Sequence, residues 1–142
     1  MDSTTLVVRN TEDGSGHFLH SKEGVTQGDP LAMIAYGIGV LPLIRVLQVD
    51  HPQVYQPWYA DDAGVGGKFR DIMAHFRDLQ LKGPARGYFP EPTKSILVVS
   101  EKNVSRAKEY FCGMGIQVVM GSRYLGGYIG ERKTEGQWVN RM

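Results

Sequence analysis

The sequence predicts an α+β domain in which helices pack on one face of an antiparallel sheet. Short apolar runs bounded by turn residues alternate with helical segments of amphipathic pattern. No repeat or low-complexity tract interrupts them. A chain of 142 residues, 42% hydrophobic and 22% charged, has the balance of a globular protein with one core, so a single domain over residues 1–142 is expected.

Each element has its own signal. "TLVVRN" and "GHFLHS" are apolar runs separated by the turn-rich "TEDGSG", which predicts a β-hairpin. "GDPLAMIAYGIGVLPLIRVLQ" opens with Asp29 as N-cap and Pro30 at the first helical position, and is apolar nearly all round. A buried helix is expected there, kinked or split at Pro42, whose ring removes a backbone donor. "QVYQPWYADD" predicts a strand, and the small residues through Gly67 permit a tight turn and a short return strand. In "KFRDIMAHFRDLQL", Phe69, Ile72, Met73, Phe76 and Leu79 share one helical face with charges opposite, and Gly83 and Pro84 end the helix. "SILVVS" predicts a buried strand, and "NVSRAKEYFCGMG" a second amphipathic helix capped by Asn103 and closed by glycine. "IQVVM" and "RYLGGYIG" supply the last strands.

Cys112 is the only cysteine, which excludes an internal disulfide and a multi-cysteine zinc site and predicts a buried, inert thiol. No charge-free apolar run reaches the ~18 residues of a membrane span, and "MDSTTLVVRN" lacks the features of a signal peptide, so an intracellular chain is expected. For the same reason the glycosylation pattern "NVS" at 103–105 carries no role. His17 and His20 fall on opposite faces of a strand, while His51 and His75 lack partners at ligand spacing, so histidine metal binding is not expected. Charge is segregated. Residues 1–62 hold three Lys/Arg against eight Asp/Glu, and residues 63–142 hold thirteen against seven, giving −5 and +6. An acidic centre beside a basic surface suits metal cations held next to a polyanion.

The acidic centre is "QPWYADDAGVGG", residues 56–67. Two successive carboxylates at a hairpin tip disfavour each other's ionisation, and a divalent cation relieves that cost. Oxygen ligands suit Mg²⁺ or Mn²⁺, the ions of phosphoryl transfer.

The motifs around Asp61 and Asp62 extend the pattern. "EGVTQGDPLAM" precedes the pair, "GYFPEPTKSILVV" follows it, and "YLGGYIG" comes last. In this order the series resembles the palm of reverse transcriptases, most closely those of non-LTR retrotransposons, over roughly residues 5–130. Tyr59, Ala60, Asp61 and Asp62 fit the family's Tyr-(Ala/Met/Val)-Asp-Asp motif without departure. The resemblance implies a polymerase palm-like fold, incomplete at both ends, with fingers and thumb largely absent and a primer-grip-like hairpin at 120–130.

The resemblance also implies roles. Asp61 and Asp62 would ligate the metal, Mg²⁺ or Mn²⁺, as catalytic residues, and Tyr59 and Ala60 would face substrate, Tyr59 near the primer end. Gln27 and Gly28 would lie along the incoming nucleotide and template. Lys94, also catalytic, would sit near the nucleotide's phosphates and stabilise charge or protonate the pyrophosphate leaving group, and Tyr124, Leu125 and Gly126 would form the primer grip. Expected partners are an RNA template, a DNA primer, deoxynucleoside triphosphates and the rest of a longer polyprotein, with no membrane. One departure stands out: the family's third carboxylate, on a strand ahead of the "QGDP" motif, has no match, since Asp2 opens the later hairpin. A non-catalytic element-derived remnant that binds nucleic acid or protein is therefore kept beside the polymerase reading. An RNA-directed RNA polymerase, whose palm usually carries Gly-Asp-Asp, is kept as a weaker third.

Overall fold

A computed structural model of the chain describes residues 4–9, 13–21, 29–131 and 135–136. Among them are three α-helices and eight short strands, in compact units of residues 1–38 and 39–142. The architecture is mixed α/β, with small sheets of two strands each.

In the first unit, β1 (Thr4–Arg9) and β2 (Gly16–Ser21) pair antiparallel with Thr4 opposite Ser21 and Arg9 opposite Gly16. This is the hairpin expected from the two apolar runs. In the connection, Asp13 Oδ1 accepts from the Ser15 N–H at 2.9 Å and from the Ser15 hydroxyl at 2.6 Å. Asp29 closes the start of α1 (Ala32–Asp50): its side chain accepts from the Leu31 N–H at 2.8 Å, and its carbonyl from the Ala32 N–H at 3.0 Å.

Two expectations for α1 need correction. Of the kink or split expected at Pro42, the split is overturned, since the helix runs unbroken through it; the proline forfeits one bond, to the Ile38 carbonyl, and the turns on either side carry the rest. Nor is the helix buried. Val40, Leu43 and Leu47 are buried, but Met33, Ile34, Ile38, Leu41, Val46 and Val49 are exposed. Only one stripe, at spacings of three and four, meets a core; an all-round apolar composition does not say how much of the circumference has something to pack against. By length and composition α1 is the one described helix that meets the requirement for crossing a membrane, with Arg45 interrupting its apolar run.

The second unit follows the predicted order. β3 (Trp58–Tyr59) and β4 (Asp62–Ala63) pair antiparallel. In α2 (Phe69–Lys82), Ile72, Phe76 and Leu79 turn inward, and with Val54, Ala107 and Phe111 they make the buried apolar set of the unit beside Val40, Leu43 and Leu47. The chain turns sharply at Gly83, where an added Cβ would collide with the Leu79 and Tyr88 carbonyl oxygens. β5 (Ile96–Val98), α3 (Val104–Tyr110), β6 (Gln117–Val119), β7 (Gly121–Tyr124) and β8 (Gly127–Gly130) complete it.

β5 and β6 pair parallel, Ile96 opposite Gln117, where an antiparallel sheet was expected. α3 lies between them in sequence and returns the chain in its original direction, which is what a crossover helix does. β5 is not the buried strand predicted, since Ile96 is exposed and its neighbours half-buried. A two-stranded sheet has two edges and no centre. Asn103 occupies the N-cap position of α3 but does not cap it; its amide donates to the Ser100 hydroxyl at 3.0 Å. Cys112 is exposed, because the turn after buried Phe111 points it outward.

Polar contacts tie the end of α1 to α2. Lys82 Nζ reaches Asp50 Oδ2 at 2.6 Å and Asp78 Oδ2 at 2.8 Å, and His51 Nε2 meets Asp78 Oδ2 at 3.1 Å. The hydrogen bond from Lys82 is the chief cause that holds the Asp78 carboxyl below the ordinary range. His75 is 1% exposed. Its ring stands edge-on to His51 with centroids 5.4 Å apart, and its Nε2 donates to Gln56 Oε1 at 3.3 Å. Burial, and then the nearby His51, push its pKa down to about 4.

Folded His75 thus takes up its proton near pH 4, whereas the unfolded chain takes it up near 6.5. Between those values the unfolded state binds more protons, so this stabilisation is full above pH 6.5 and is lost as pH falls toward 4. Urea titrations across that window should show stability dropping by up to roughly 3 kcal/mol, with a flatter profile in His75→Phe. Gly83→Ala should cost about 1–3 kcal/mol in the same assay, because its Cβ meets backbone rather than a yielding side chain.

Candidate functional site

The two carboxylates sit at the tip of the β3–β4 hairpin. Tyr55 and Gly66 exchange N–H to carbonyl bonds of 2.9 and 2.7 Å, and the Gly64 N–H donates to the Pro57 carbonyl at 2.8 Å. Trp58 faces Ala63 and Tyr59 faces Asp62. Ala60 and Asp61 are left as a two-residue loop. Ala60 has φ +51°, at the first loop position, where a type II′ turn demands positive φ and glycine is usual. The left-handed region costs a non-glycine residue about 1–2 kcal/mol. Among the described residues one other non-glycine shares it, Leu125 at φ +48°, and it lies at the tip of the β7–β8 hairpin.

Two aromatic residues from later in the chain brace this tip. The Tyr88 hydroxyl donates to the Asp61 carbonyl at 3.0 Å, and the Tyr88 ring stands edge-on to Trp58 at 5.3 Å. Tyr124, the last residue of β7, presses on Gly64: a Cβ there would lie 3.1 Å from the Tyr124 hydroxyl and 2.9 Å from Pro57 Cγ. That hydroxyl is buried and makes no hydrogen bond, and the same holds for Trp58 Nε1 and Gln56 Nε2. Tyr124 faces Gly127 across a loop of Leu125 and Gly126, both with positive φ, the signs of a type I′ turn.

The expected site residues are therefore partly assembled. Tyr59, Ala60, Asp61 and Asp62 share one hairpin, and Tyr124 packs against it. Tyr59 is 62% exposed, and both aspartates are exposed and outside the four ion pairs found among the described residues. Lys94 is exposed in a 3₁₀ turn, Pro92–Lys94, which Glu91 caps by accepting from the Thr93 N–H and hydroxyl. No hydrogen bond or ion pair joins Lys94 to either aspartate. Gln27 and Gly28 lie outside the described residues.

Among the described residues no group of three or more His, Cys, Asp or Glu side chains could hold a metal ion. Asp61 and Asp62 alone do not complete a shell for Mg²⁺ or Mn²⁺, ions that want six oxygens in near-octahedral array. Residues without an assigned role proved central here: Tyr88, in the quoted "GYFP", and Gly64. A glycine on the return strand was a readable sign of close approach by another group.

Comparison with protein-family models, with curated proteins and with solved structures finds no match.

If Tyr124 rests on Gly64, substitutions at the two positions must couple. Gly64→Ala should cost about 1–3 kcal/mol. Tyr124→Phe, which removes an unpartnered buried hydroxyl, should be neutral or stabilising by about 1 kcal/mol. The double variant, measured by chemical denaturation, should recover at least about 0.5 kcal/mol beyond additivity.

Proposed function

We propose that the chain is the palm portion of an RNA-directed DNA polymerase of the non-LTR retrotransposon kind. The reaction class is nucleotidyl transfer to a primer 3′-hydroxyl in the parent enzyme. One observation carries the proposal: the Tyr59–Asp62 motif forms the tip of a hairpin around a strained two-residue loop, and the next motifs along the chain send Tyr88 and Tyr124 onto that same hairpin. Four motifs in palm order and three of them in contact support it together.

In this reading Asp61 and Asp62 offer unpaired negative charge at a fixed tip. Tyr88 holds the loop from behind through the Asp61 carbonyl, leaving the side chains to solvent. Tyr59 presents an exposed ring to the primer end, and Lys94 is a cation free to meet phosphate. The cofactor proposed is Mg²⁺ or Mn²⁺, which in this enzyme class neutralises charge as the phosphoryl group moves. With two carboxylates alone, the chain as given is not expected to polymerise.

A second reading, a non-catalytic remnant that binds nucleic acid or protein, draws on the missing third carboxylate and on the +6 charge of residues 63–142.

Manganese separates the two. Followed by its paramagnetic relaxation, Mn²⁺ should bind weakly alone and more tightly with a deoxynucleoside triphosphate, whose phosphates fill the open positions. Asp61→Asn with Asp62→Asn should abolish that gain. No gain from nucleotide, or a gain the double variant keeps, rejects the palm reading in favour of the remnant. In a primer-extension assay on an RNA template the chain should give no product; extension that Asp61→Ala with Asp62→Ala removes would show that two carboxylates suffice.

A further inference from the structure

We propose that the cleft between the first turn of α2 and the length of α3 binds a single strand of nucleic acid, holding phosphate on Lys68, Arg70 and Arg106 and a base against Tyr110 and Phe69. Of its lining only Gly67 belongs to the base of the aspartate hairpin, and the proposal does not rest on the palm reading.

The cleft has a volume of about 540 Å³ and lies wholly within the second unit. Its lining includes three cations, two aromatic rings and the Asn103 amide, and no carboxylate. Arg70 is held by Asp71 at 3.2 Å. The Lys68 ammonium and the Arg106 guanidinium are outside the ion pairs found among the described residues, and the Arg106 guanidinium stands 5.9 Å from the centre of the Phe69 ring. Lys68 and Arg106 carry like charge that Asp71, engaged by Arg70, does not pair, and a bound polyanion would relieve their repulsion while releasing its own counterions.

The rings decide the class of anion. Phe69, Tyr110 and Phe111 form a mutually tilted cluster with centroids 5.6 to 6.1 Å apart. Phe111 is buried, whereas Tyr110 is 40% exposed beside the cations. A small inorganic anion needs neither that volume nor an aromatic wall. A duplex keeps its bases stacked inside and offers the rings nothing, while a single strand presents phosphate and base faces together.

Anisotropy of a labelled twelve-residue oligothymidylate titrated with the full chain tests this. Lys68→Gln with Arg106→Gln, both at exposed positions, should weaken binding on the order of tenfold near 0.1 M salt and make the log–log salt slope shallower by ~1.4, the value for two lost phosphate contacts on a single strand. Tyr110→Leu should weaken binding about tenfold while leaving the slope unchanged. Asp61→Ala with Asp62→Ala should change neither, so that failure of the palm reading leaves this result standing. Unchanged affinity and slope in the Lys68/Arg106 variant overturn the proposal. It is equally overturned if polyglutamate displaces the strand as well as unlabelled oligothymidylate does, or if a duplex of the same length binds as tightly. Circular dichroism of each variant confirms that the fold is retained.

Discussion

The space at Gly64 is the constraint on which the second unit depends. The position is closed in by Pro57 on its own hairpin and by the Tyr124 hydroxyl from the end of β7. Because no side chain fits, the β3–β4 hairpin and the β7–β8 hairpin come within van der Waals reach, although sixty residues of sequence separate Gly64 from Tyr124. The same hairpin is gripped at its tip by Tyr88, and at its base Gly67 lies against Val54 and Ile72. The aspartate loop is thus positioned by contacts that are mostly aromatic or glycine-mediated. Its left-handed Ala60 is sustained by that surrounding structure rather than by local preference.

Charge follows a related division. Cations and anions that tie elements together are paired, as in Lys82 with Asp50 and Asp78. At the two candidate sites Asp61, Asp62, Lys68 and Arg106 stand outside the ion pairs, whereas Arg70 is paired with Asp71. All four are exposed, and at such positions an unpaired charge costs a folded chain little.

Local signals were legible in the sequence, and distant ones were not. The Asp29 cap, the β1–β2 hairpin, the inward face of α2 and the stop at Gly83 each follow from residues within a few positions of one another. So does the aspartate hairpin, since the glycines after Asp62 announce its return. The direction in which β5 meets β6 depends on how α3 packs, which periodicity does not encode. The exposure of α1 depends on what lies opposite each side of the helix. His51 and His75, twenty-four positions apart, show no ligand spacing because the chain passes between helices before bringing them ring to ring. Of the site, the hairpin was readable, and the role of Tyr88 and the contact of Tyr124 with Gly64 were not.

The parallel pairing of β5 with β6 has a kinetic consequence. The β3–β4 and β7–β8 hairpins close two-residue loops, so they can form in about 1–10 μs from contacts adjacent in sequence. The parallel pair gains nothing until the eighteen residues between Val98 and Gln117 have formed α3 and folded back. That raises the contact order of one region above that of its neighbours. During synthesis or refolding, β5 therefore spends the longest time as an unpaired apolar edge. Ile96, Leu97 and Val98 are the segment most exposed to pairing with another chain before its own partner arrives.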